Sequence, residues 1–509
     1  MVDGGRRNDG ARVITELILA NTDASTDWID WMRSLVSWGL LIAALDFVVV
    51  CLAVGHVVLN KRDVRAAIGW SGVIFLAPFV GSALYFMFGI NRIKRKARRL
   101  LGKVVEPSNE PDGLSYDSHL KLGPFEEQFA PLAMLGDKVI GRPLHAGNHI
   151  ELFATTDRCV EAMLAAIERA TESISLCTYI FDCDPVGKRF VAALQAACER
   201  GVEVRVIVDG VGLRYSWPSI KRWLAAAKIP HATFLPNLIP WRLHYSNMRC
   251  HRKIMVLDGR VGFTGGMNIR EGLYRNVSPP RPLVDSHFYL EGPIVADLQE
   301  TFAEDWEFCT SEVLTGKKWF PETPPQGTAM ARGIAAGPDL DADMIRLTIA
   351  GGIHAARRSV HVVTPYFLPD ASLIEALNVA DLRGVDVNIV LPRVNNLALV
   401  QWASTAQLWQ LLSRGVQIWT TPPPFDHSKL MVVDEAWSMF GSANWDPRSL
   451  RLNFEFNVEC YSIEVAKATT DLIRQKIASA QPLRLTDVDS RPLPIKLRDG
   501  LARLATPYL

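Results

Sequence analysis

One short pattern occurs twice in this chain of 509 residues, and the second copy lies 176 positions after the first. Each copy has a histidine, a lysine two positions later, an aspartate five positions after the lysine, and a Gly-Gly or Gly-Ser pair shortly before an asparagine. The first copy consists of His251, Lys253, Asp258, Gly265, Gly266 and Asn268, and the second of His427, Lys429, Asp434, Gly441, Ser442 and Asn444. The identical spacing predicts two similar halves, each of which contributes one copy to a shared site.

The residue types in this pattern suit phosphoryl chemistry without a metal. Imidazole can attack phosphorus or move a proton near neutral pH, and an ammonium group can neutralise phosphate oxygens. A carboxylate can hold an imidazole in one tautomer, and glycine or serine lets the backbone approach a ligand closely. Neither copy has a second histidine or a cysteine at metal-ligand spacing, so we expect no metal here. A single copy would also fit a solvated strand end, which the second copy argues against.

The residues between lysine and aspartate predict a strand in each copy. Residues 253–258 and 429–434 are short, apolar and rich in β-branched side chains, which is typical of buried strands. Side chains alternate along a strand, so His251 and Lys253 are expected to share one face. Both groups can then point at one phosphate.

The surrounding sequence is also duplicated and predicts an α/β fold. Residues 165–181 parallel residues 351–367, and residues 194–208 parallel residues 377–390. Each of these stretches predicts a helix followed by an apolar strand. The alternation in both halves predicts mixed or parallel sheets covered by helices on both faces.

Irregular stretches suggest where the domains begin and end. Pro and Gly concentrate in residues 321–340, as in a linker, and a second irregular stretch covers residues 104–123. We therefore place the two halves at residues 101–330 and 331–509, after an N-terminal segment of about 100 residues.

The N-terminal segment predicts a membrane hairpin. A polar tail, residues 1–33, is expected to be loosely ordered and precedes the hairpin segment, residues 34–100. Residues 35–59 and 66–90 are each apolar over about the 20 residues that cross a hydrocarbon core, and Pro78 is expected to kink the second helix. The alternative is a buried hairpin of a soluble protein, which the basic cluster that follows disfavours.

The basic residues predict an orientation. Residues 91–99 carry six Lys or Arg residues, against three in the loop at 60–65. The positive-inside rule then places this cluster and both halves in the cytoplasm. The same cluster would attract anionic lipid head groups.

Composition excludes several other classes of partner. The net charge of +1 gives no basic footprint for nucleic acid, so we expect no nucleic-acid partner. The eight cysteines have no paired spacing and are expected to be reduced thiols. No Gly-rich phosphate loop suggests a nucleotide.

The two copies of the pattern resemble those of the phospholipase D superfamily, and the chain from about residue 35 onward resembles bacterial cardiolipin synthases with an N-terminal membrane hairpin. The resemblance also includes residues 75–81, 247–254, 302–306 and 441–455. It implies two phospholipase D-like α/β halves that share one active site. It also implies a multi-pass protein of the bacterial cell membrane whose catalytic halves are cytoplasmic. The long leader and the rigid, acidic residues 422–426 depart from the family pattern.

The resemblance implies a reaction in which two phosphatidylglycerol molecules give cardiolipin and glycerol, with no cofactor. One histidine would attack the phosphodiester to form a phosphatidyl-histidine, and the other would exchange a proton with the departing and incoming hydroxyls. Asp258 and Asp434 would either orient the histidines or complete the hydrogen bonds of the site. The implied catalytic residues are His251, Lys253, Asp258, His427, Lys429 and Asp434. The implied substrate-binding residues are Asn268, Asn444, Gly266 and Ser442.

Three other functions are compatible with parts of the sequence. A phospholipase D that hydrolyses lipid would use the same residues with water as the acceptor. A nuclease of the superfamily fits poorly with two membrane spans and balanced charge, and two complete motifs argue against a scaffold without activity. The sequence leaves open which histidine is the nucleophile, which acceptor is preferred, and the oligomeric state.

Overall fold

A computed structural model describes residues 9–61, 64–89, 123–153, 155–236, 248–274, 282–338 and 343–506. The chain divides into two compact units, Met1–Arg92 and Ile93–Leu509, and each is described by itself. The basic cluster at 91–99 and most of the irregular stretch at 104–123 lie outside the described residues.

The first unit is helical and begins earlier than the sequence predicts. Helix α1 (Asp9–Asn60) contains the first apolar run and extends back through the polar leader. The tail that we expected to be loosely ordered is therefore helical from Asp9 onward. The segment Trp31–Asn60 is long and apolar enough to cross a membrane, judged by length and composition.

The second apolar run is divided between two shorter helices. These are α2 (Val64–Leu76) and α3 (Pro78–Leu84), and a π-helical turn at Tyr85–Gly89 follows them. Because proline has no backbone N–H, Pro78 begins a helix instead of continuing one, which confirms the predicted interruption. Each helix alone is shorter than a membrane span, so the second crossing and the hairpin stay predictions.

The second unit is built from strands and helices that recur in the same order. Its first strands are β1 (His145–Phe153), β2 (Ser173–Thr178), β3 (Glu203–Asp209), β4 (His231–Phe234), β5 (Ile254–Leu257), β6 (Val261–Gly265), β7 (Leu283–Val284) and β8 (His287–Glu291). The later strands are β9 (Ala329–Ala336), β10 (Ser359–Val363), β11 (Asp386–Pro392), β12 (Gln417–Thr421), β13 (Phe425–Asp426), β14 (Leu430–Val433), β15 (Trp437–Gly441), β16 (Glu455–Tyr461) and β17 (Gln481–Leu483).

The helices of this unit alternate with the strands. The earlier helices are α4 (Glu126–Ile140), α5 (Thr156–Arg169), α6 (Pro185–Glu199), α7 (Ile220–Ala226) and α8 (Ile294–Thr310). The later helices are α9 (Met344–Ala355), α10 (Ala371–Leu382), α11 (Ala398–Thr405), α12 (Trp409–Leu412), α13 (Pro447–Arg451), α14 (Ile463–Ser479), α15 (Leu485–Asp489) and α16 (Leu493–Leu504). The helix–strand pairs predicted from the duplication correspond to α5–β2, α6–β3, α9–β10 and α10–β11.

The described residues place fifteen of these strands in one sheet with an internal symmetry. From the centre outward the first half has the order β1-β8-β6-β5-β2-β3-β4, and the second has β9-β16-β15-β14-β10-β11-β12, with β17 beyond it. The two central strands, β1 and β9, pair antiparallel. Within this sheet β2, β3 and β4 are parallel, as are β10, β11 and β12, whereas the other described pairings of the sheet are antiparallel; β7 and β13 form a separate parallel pair. The predicted α/β class with mixed sheets is confirmed.

The predicted linker at residues 321–340 contains a central strand. Strand β9 pairs with β1 on one side and β16 on the other. Its sequence is rich in Ala and Gly, which are poor strand formers, so sequence alone gives no strand signal there. Arg332 in this strand is fully buried and forms ion pairs with Glu459 (2.6 Å) and Asp137 (2.5 Å).

A hydrophobic core common to both halves holds the second unit together. The ring of Phe288 in β8 stacks on that of Phe440 in β15, with 3.5 Å between ring centroids. Phe302 of α8 and Ala466 of α14 belong to the same buried cluster. The two halves therefore pack as one body, which fixes the residues at the sheet ends relative to one another.

Candidate active site

The two motif histidines lie side by side at the junction of the halves. His251 precedes β5 and His427 precedes β14, and both of these strands are fully buried, as predicted. The centroids of the two imidazole rings are 6.4 Å apart and the rings are nearly perpendicular. Both side chains line one cavity of about 750 Å³. The expectation that the two copies share one site is confirmed.

Each histidine is held by a carboxylate from the opposite half. Nδ1 of His251 lies 2.9 Å from Oε2 of Glu455, and Nδ1 of His427 lies 2.8 Å from Oδ2 of Asp285. Both carboxylates are almost completely buried. A carboxylate can only accept a hydrogen bond, so each Nδ1 carries the proton and each Nε2 keeps a lone pair.

The backbone repeats the same crossed arrangement. The N–H of His251 donates to the carbonyl of Phe454 (2.8 Å), which precedes Glu455, and the N–H of His427 donates to the carbonyl of Val284 (2.7 Å), which precedes Asp285. Each histidine is therefore bonded to the opposite half twice, through its ring to the carboxylate and through its backbone N–H to the residue before that carboxylate. Neither half alone contains a complete histidine–carboxylate pair.

Sequence reasoning missed these two carboxylates. Asp285 follows Asn268 by 17 positions and Glu455 follows Asn444 by 11 positions, and the two residues also differ in type. The register of the sheet shows their equivalence, since Gly265 pairs with His287 and Gly441 with Asn457, each two residues beyond its carboxylate. Only a comparison based on strand pairing could have found them.

Burial keeps both histidines neutral. Desolvation lowers the pKa of His251 to about 4, and Glu455 only partly opposes this effect. Desolvation, followed by the positive charge of Lys429, lowers the pKa of His427 to about 4 as well. At neutral pH both imidazoles are therefore uncharged, and each can act as a nucleophile or accept a proton through Nε2.

The two motif lysines contact the backbone of the histidines. Both are buried, and the Nζ atom of each donates to the carbonyl oxygen of the histidine two positions earlier. Burial lowers the pKa of Lys253 to about 7 and that of Lys429 to about 8. An anion between the histidines would favour the charged form of both lysines.

The asparagines of the motif line the cavity, whereas the small residues do not. Asn268 accepts from the N–H of Ile180 through Oδ1 (3.0 Å), which fixes its side chain at the cavity wall. Ser442 is fully buried and donates to Oε2 of Glu455 (2.5 Å). A Cβ atom at Gly266 would overlap the carboxylate of Asp285.

These positions change what the small residues are expected to do. Ser442 and Gly266 support or accommodate the carboxylates, so the structure does not bring them to the substrate cavity as we expected. The substrate-binding role of Asn268 and Asn444 stays a prediction.

The motif aspartates lie away from the histidines, so of the two roles that the sequence left open the structure does not support the one in which they orient the histidines. Asp258 accepts from the backbone N–H groups of Thr171 (3.0 Å), Glu172 (2.8 Å) and Ser173 (2.9 Å). Asp434 accepts in the same way from the N–H groups of Arg357, Arg358 and Ser359. The physical reason is distance: four strand residues put roughly 13 Å between the two ends of β5 or of β14.

The cavity wall carries charged side chains of both signs beside apolar surface. Arg249, Arg270 and Arg448 line it together with Leu273 and Val400, and so do the acidic residues Asp182, Asp184, Glu271, Asp285 and Asp446. Aromatic edges meet the imidazoles from both halves, with Tyr179 at 5.3 Å from His251 and Tyr366 at 6.1 Å from His427 between ring centroids. Charged groups of both signs beside apolar side chains suit a ligand with a polar head group and an apolar body.

The two kinds of acidic residue lead to opposite predictions. Replacing Asp285 with Asn should lower turnover by roughly 10²- to 10⁴-fold, because an amide does not hold the Nδ1–H of His427 as a carboxylate does. Replacing Asp258 with Asn should lower the free energy of unfolding by about 1–3 kcal/mol through weakened backbone hydrogen bonds. Its turnover should stay close to that of the unchanged chain.

Steady-state kinetics and thermal unfolding of the purified full chain measure both effects. Asp258→Asn is the matched control, since it removes the same charge at a motif position. An Asp258→Asn protein that is fully stable but inactive would contradict this prediction and would show that the motif aspartate takes part in catalysis.

Two family models match the chain. The model described as cardiolipin synthase, PLD-like domain, matches residues 163–306 and 349–477. The model described as phospholipase D-nuclease N-terminal matches residues 48–89. The first match contains both copies of the motif and both carboxylates that hold the histidines.

Known proteins are similar over nearly the whole chain. Cardiolipin synthase 1 of Staphylococcus epidermidis is 30% identical over 479 residues, covering 92% of this chain and 97% of that protein. The major cardiolipin synthase ClsA of Bacillus subtilis is 31% identical over 492 residues, covering 92% and 99%. Among solved structures, phosphatidylserine synthase of Haemophilus influenzae matches with a TM-score of 0.60 at 13% identity, covering 74% of this chain and 100% of that one, which shows a common fold.

Proposed function

This chain belongs to the cardiolipin synthase family with phospholipase D-like domains, and we propose that it transfers a phosphatidyl group from one phosphatidylglycerol molecule to another, giving cardiolipin and glycerol. The observation that supports this most strongly is the pair of neutral histidines at one cavity, each held through Nδ1 by a carboxylate of the other half. A double displacement needs two such groups, one as the nucleophile and one as the acid and base.

The first displacement forms a covalent intermediate. Nε2 of one histidine bonds to phosphorus while the bond between phosphorus and the head-group glycerol oxygen breaks. The anionic phosphodiester raises the pKa of the second histidine. That histidine then supplies the proton that glycerol takes away.

The second displacement regenerates the enzyme. The second histidine, now neutral, removes the proton from a glycerol hydroxyl of another phosphatidylglycerol. The resulting oxygen bonds to phosphorus while the bond between phosphorus and histidine breaks. Two phosphodiesters enter and two leave, so the exchange needs no nucleotide.

Charge around the phosphoryl group is supplied by side chains. Lys253 and Lys429 reach the carbonyl oxygens beside the histidines, and their ammonium groups would stabilise the negative charge that develops on the phosphoryl oxygens. Asn268 and Asn444 line the cavity and would donate to the same oxygens. Asp285 and Glu455 are positioning residues that act through the histidines.

Membrane attachment fits a lipid substrate. The chain has an N-terminal helix long and apolar enough to cross a membrane, and the family acts on membrane phospholipids. We propose that the chain crosses the bacterial cell membrane twice and that its catalytic halves are cytoplasmic. The excess of basic residues at 91–99 supports this orientation.

Product analysis tests the reaction. Purified full-length protein should convert phosphatidylglycerol alone to cardiolipin and free glycerol in equal amounts, with full activity in excess chelator and without nucleotide. Thin-layer chromatography of the lipid and an enzymatic glycerol assay measure both products. His251→Ala and His427→Ala are the controls, and each should form neither product while remaining folded.

Other products would favour the other functions. Phosphatidic acid as the main product would favour a phospholipase D that uses water as the acceptor. A strict requirement for a nucleotide would exclude the proposed exchange.

The pH dependence follows from the two kinds of shifted group. The histidine that acts as the acid must be protonated, so kcat/KM should decline as pH rises. The lysine ammonium groups lose their charge as pH rises through about 7 and 8, so this decline should become steeper in that range. At the acid end kcat/KM should fall below about pH 4, where the nucleophile becomes protonated.

Initial rates in mixed micelles from about pH 3.5 to about pH 10, where the fold is expected to persist, give this profile. Lys253→Arg keeps the positive charge throughout and should remove part of the steepening. A kcat/KM that rises through pH 7 and 8 would show that the neutral lysines are the active form.

The proposed orientation is tested in intact cells. A single reactive cysteine introduced at Leu100 should be protected from an impermeant maleimide and should react after the membrane is permeabilised. A cysteine in the short loop at Asn60 should react from outside and is the matched control. Labelling of position 100 in intact cells would reverse the topology.

A further inference from the structure

The last long helix of the chain turns its leucines outward. Leu493, Leu497, Leu501 and Leu504 of α16 have exposed fractions of 68%, 58%, 67% and 75%. Their spacing of four, four and three residues places them along one face of a helix. This face is an apolar stripe that the described residues leave open.

The opposite face of α16 is the one that packs on the fold. Asp499 and Ala502 are buried, and Asp499 accepts hydrogen bonds from the guanidinium groups of Arg491 and Arg498. Ala502 belongs to a small buried cluster with Val400 of α11. The helix therefore packs on the fold through an ion-paired acid and an alanine, and this packing leaves its four leucines largely exposed.

The buried face of α16 packs on an element that borders the substrate cavity. Val400, which packs with Ala502, also lines the cavity, and so does Leu397 at the start of α11. The loop that leads into α11 exposes Val394 and Leu397, and the first turn of α11 exposes Leu399. Exposed apolar surface therefore occurs both on α16 and on the loop that borders the cavity.

The exposed charges of α16 are all basic. They are Lys496, Arg498 and Arg503, and Arg498 is ion-paired with the acidic residue of this helix, the buried Asp499. A helix with leucines on one face and basic residues beside them is typical of a segment that lies in the interface of an anionic membrane. The basic residues would attract lipid phosphates, and the leucines would enter the acyl boundary.

We propose that the leucine face of α16, together with the loop at residues 393–399, is a docking surface for an anionic phospholipid bilayer, which presents lipid head groups to the mouth of the cavity. A second copy of the chain is a poorer occupant. One face of a helix of 12 residues measures about 18 Å by 10 Å, which is far below the roughly 800 Å² per partner of a standard protein interface.

A fluorophore on α16 tests the docking directly. Leu501→Cys in the full-length protein is labelled with an environment-sensitive fluorophore and placed in nanodiscs that contain lipids with brominated acyl chains. Leu382→Cys is the matched control, because Leu382 is also 67% exposed but ends α10, at the far end of β11 from the loop at 393–399. The signal of the labelled unsubstituted chain is subtracted to remove native cysteines.

The expected result is a loss of fluorescence at position 501 and none at position 382. The loss should be larger in discs of phosphatidylglycerol than in discs of phosphatidylcholine, and Leu497→Cys should behave like Leu501→Cys. Equal signals at 501 and 382, or equal quenching in the two lipids, would overturn the proposal. A change in fluorescence at position 501 that requires two copies of the chain per disc, and that also occurs without brominated lipid, would assign the surface to a second copy of the chain. Because the readout needs no turnover, it stands or falls independently of the proposed reaction.

Discussion

The crossed pairing of histidine and carboxylate is the interaction on which the rest of the site depends. Glu455 holds His251 and Asp285 holds His427, so each half completes the pair of the other. The backbone bonds from the histidines to Phe454 and Val284 keep these contacts in register. The central pairing of β1 with β9 and the shared core make this exchange possible, because they fix the two halves as one body.

Burial gives the site its chemical character, and the crossed carboxylates make that burial tolerable. An imidazole removed from water loses affinity for a proton, which leaves both histidines neutral and nucleophilic. A buried imidazole also needs a partner for its N–H, and the carboxylate provides it. The same desolvation lowers the pKa of the two lysines. An incoming phosphate would raise their pKa again, because its negative charge stabilises the ammonium form.

The sequence predicted those features that repeat at fixed spacing. The two halves, the strands after each His-x-Lys, and the meeting of His251 and His427 all follow from such spacing. Asp285 and Glu455 could not be predicted in this way, because segments of different length separate them from the motif. For Asp258 and Asp434 the sequence left two roles open, although the predicted strand between lysine and aspartate already separates these residues from the histidines. Strand β9 was missed because Ala and Gly carry little strand signal.

The two halves are similar without being identical, and their differences are correlated. On one side Glu455 receives the hydroxyl of Ser442, and on the other the shorter Asp285 occupies the space beside Gly266 that a side chain would fill. The acidic residue and the small residue therefore differ together, as Glu with Ser in one half and as Asp with Gly in the other. Both combinations place a carboxylate oxygen at nearly the same distance from the histidine Nδ1. Lys429 adds a further difference, since its Nζ lies 2.9 Å from Nδ1 of His427. A duplicated site thus keeps two equivalent imidazoles in distinct surroundings, which is compatible with the proposed reaction, in which one histidine bonds to phosphorus and the other moves the proton.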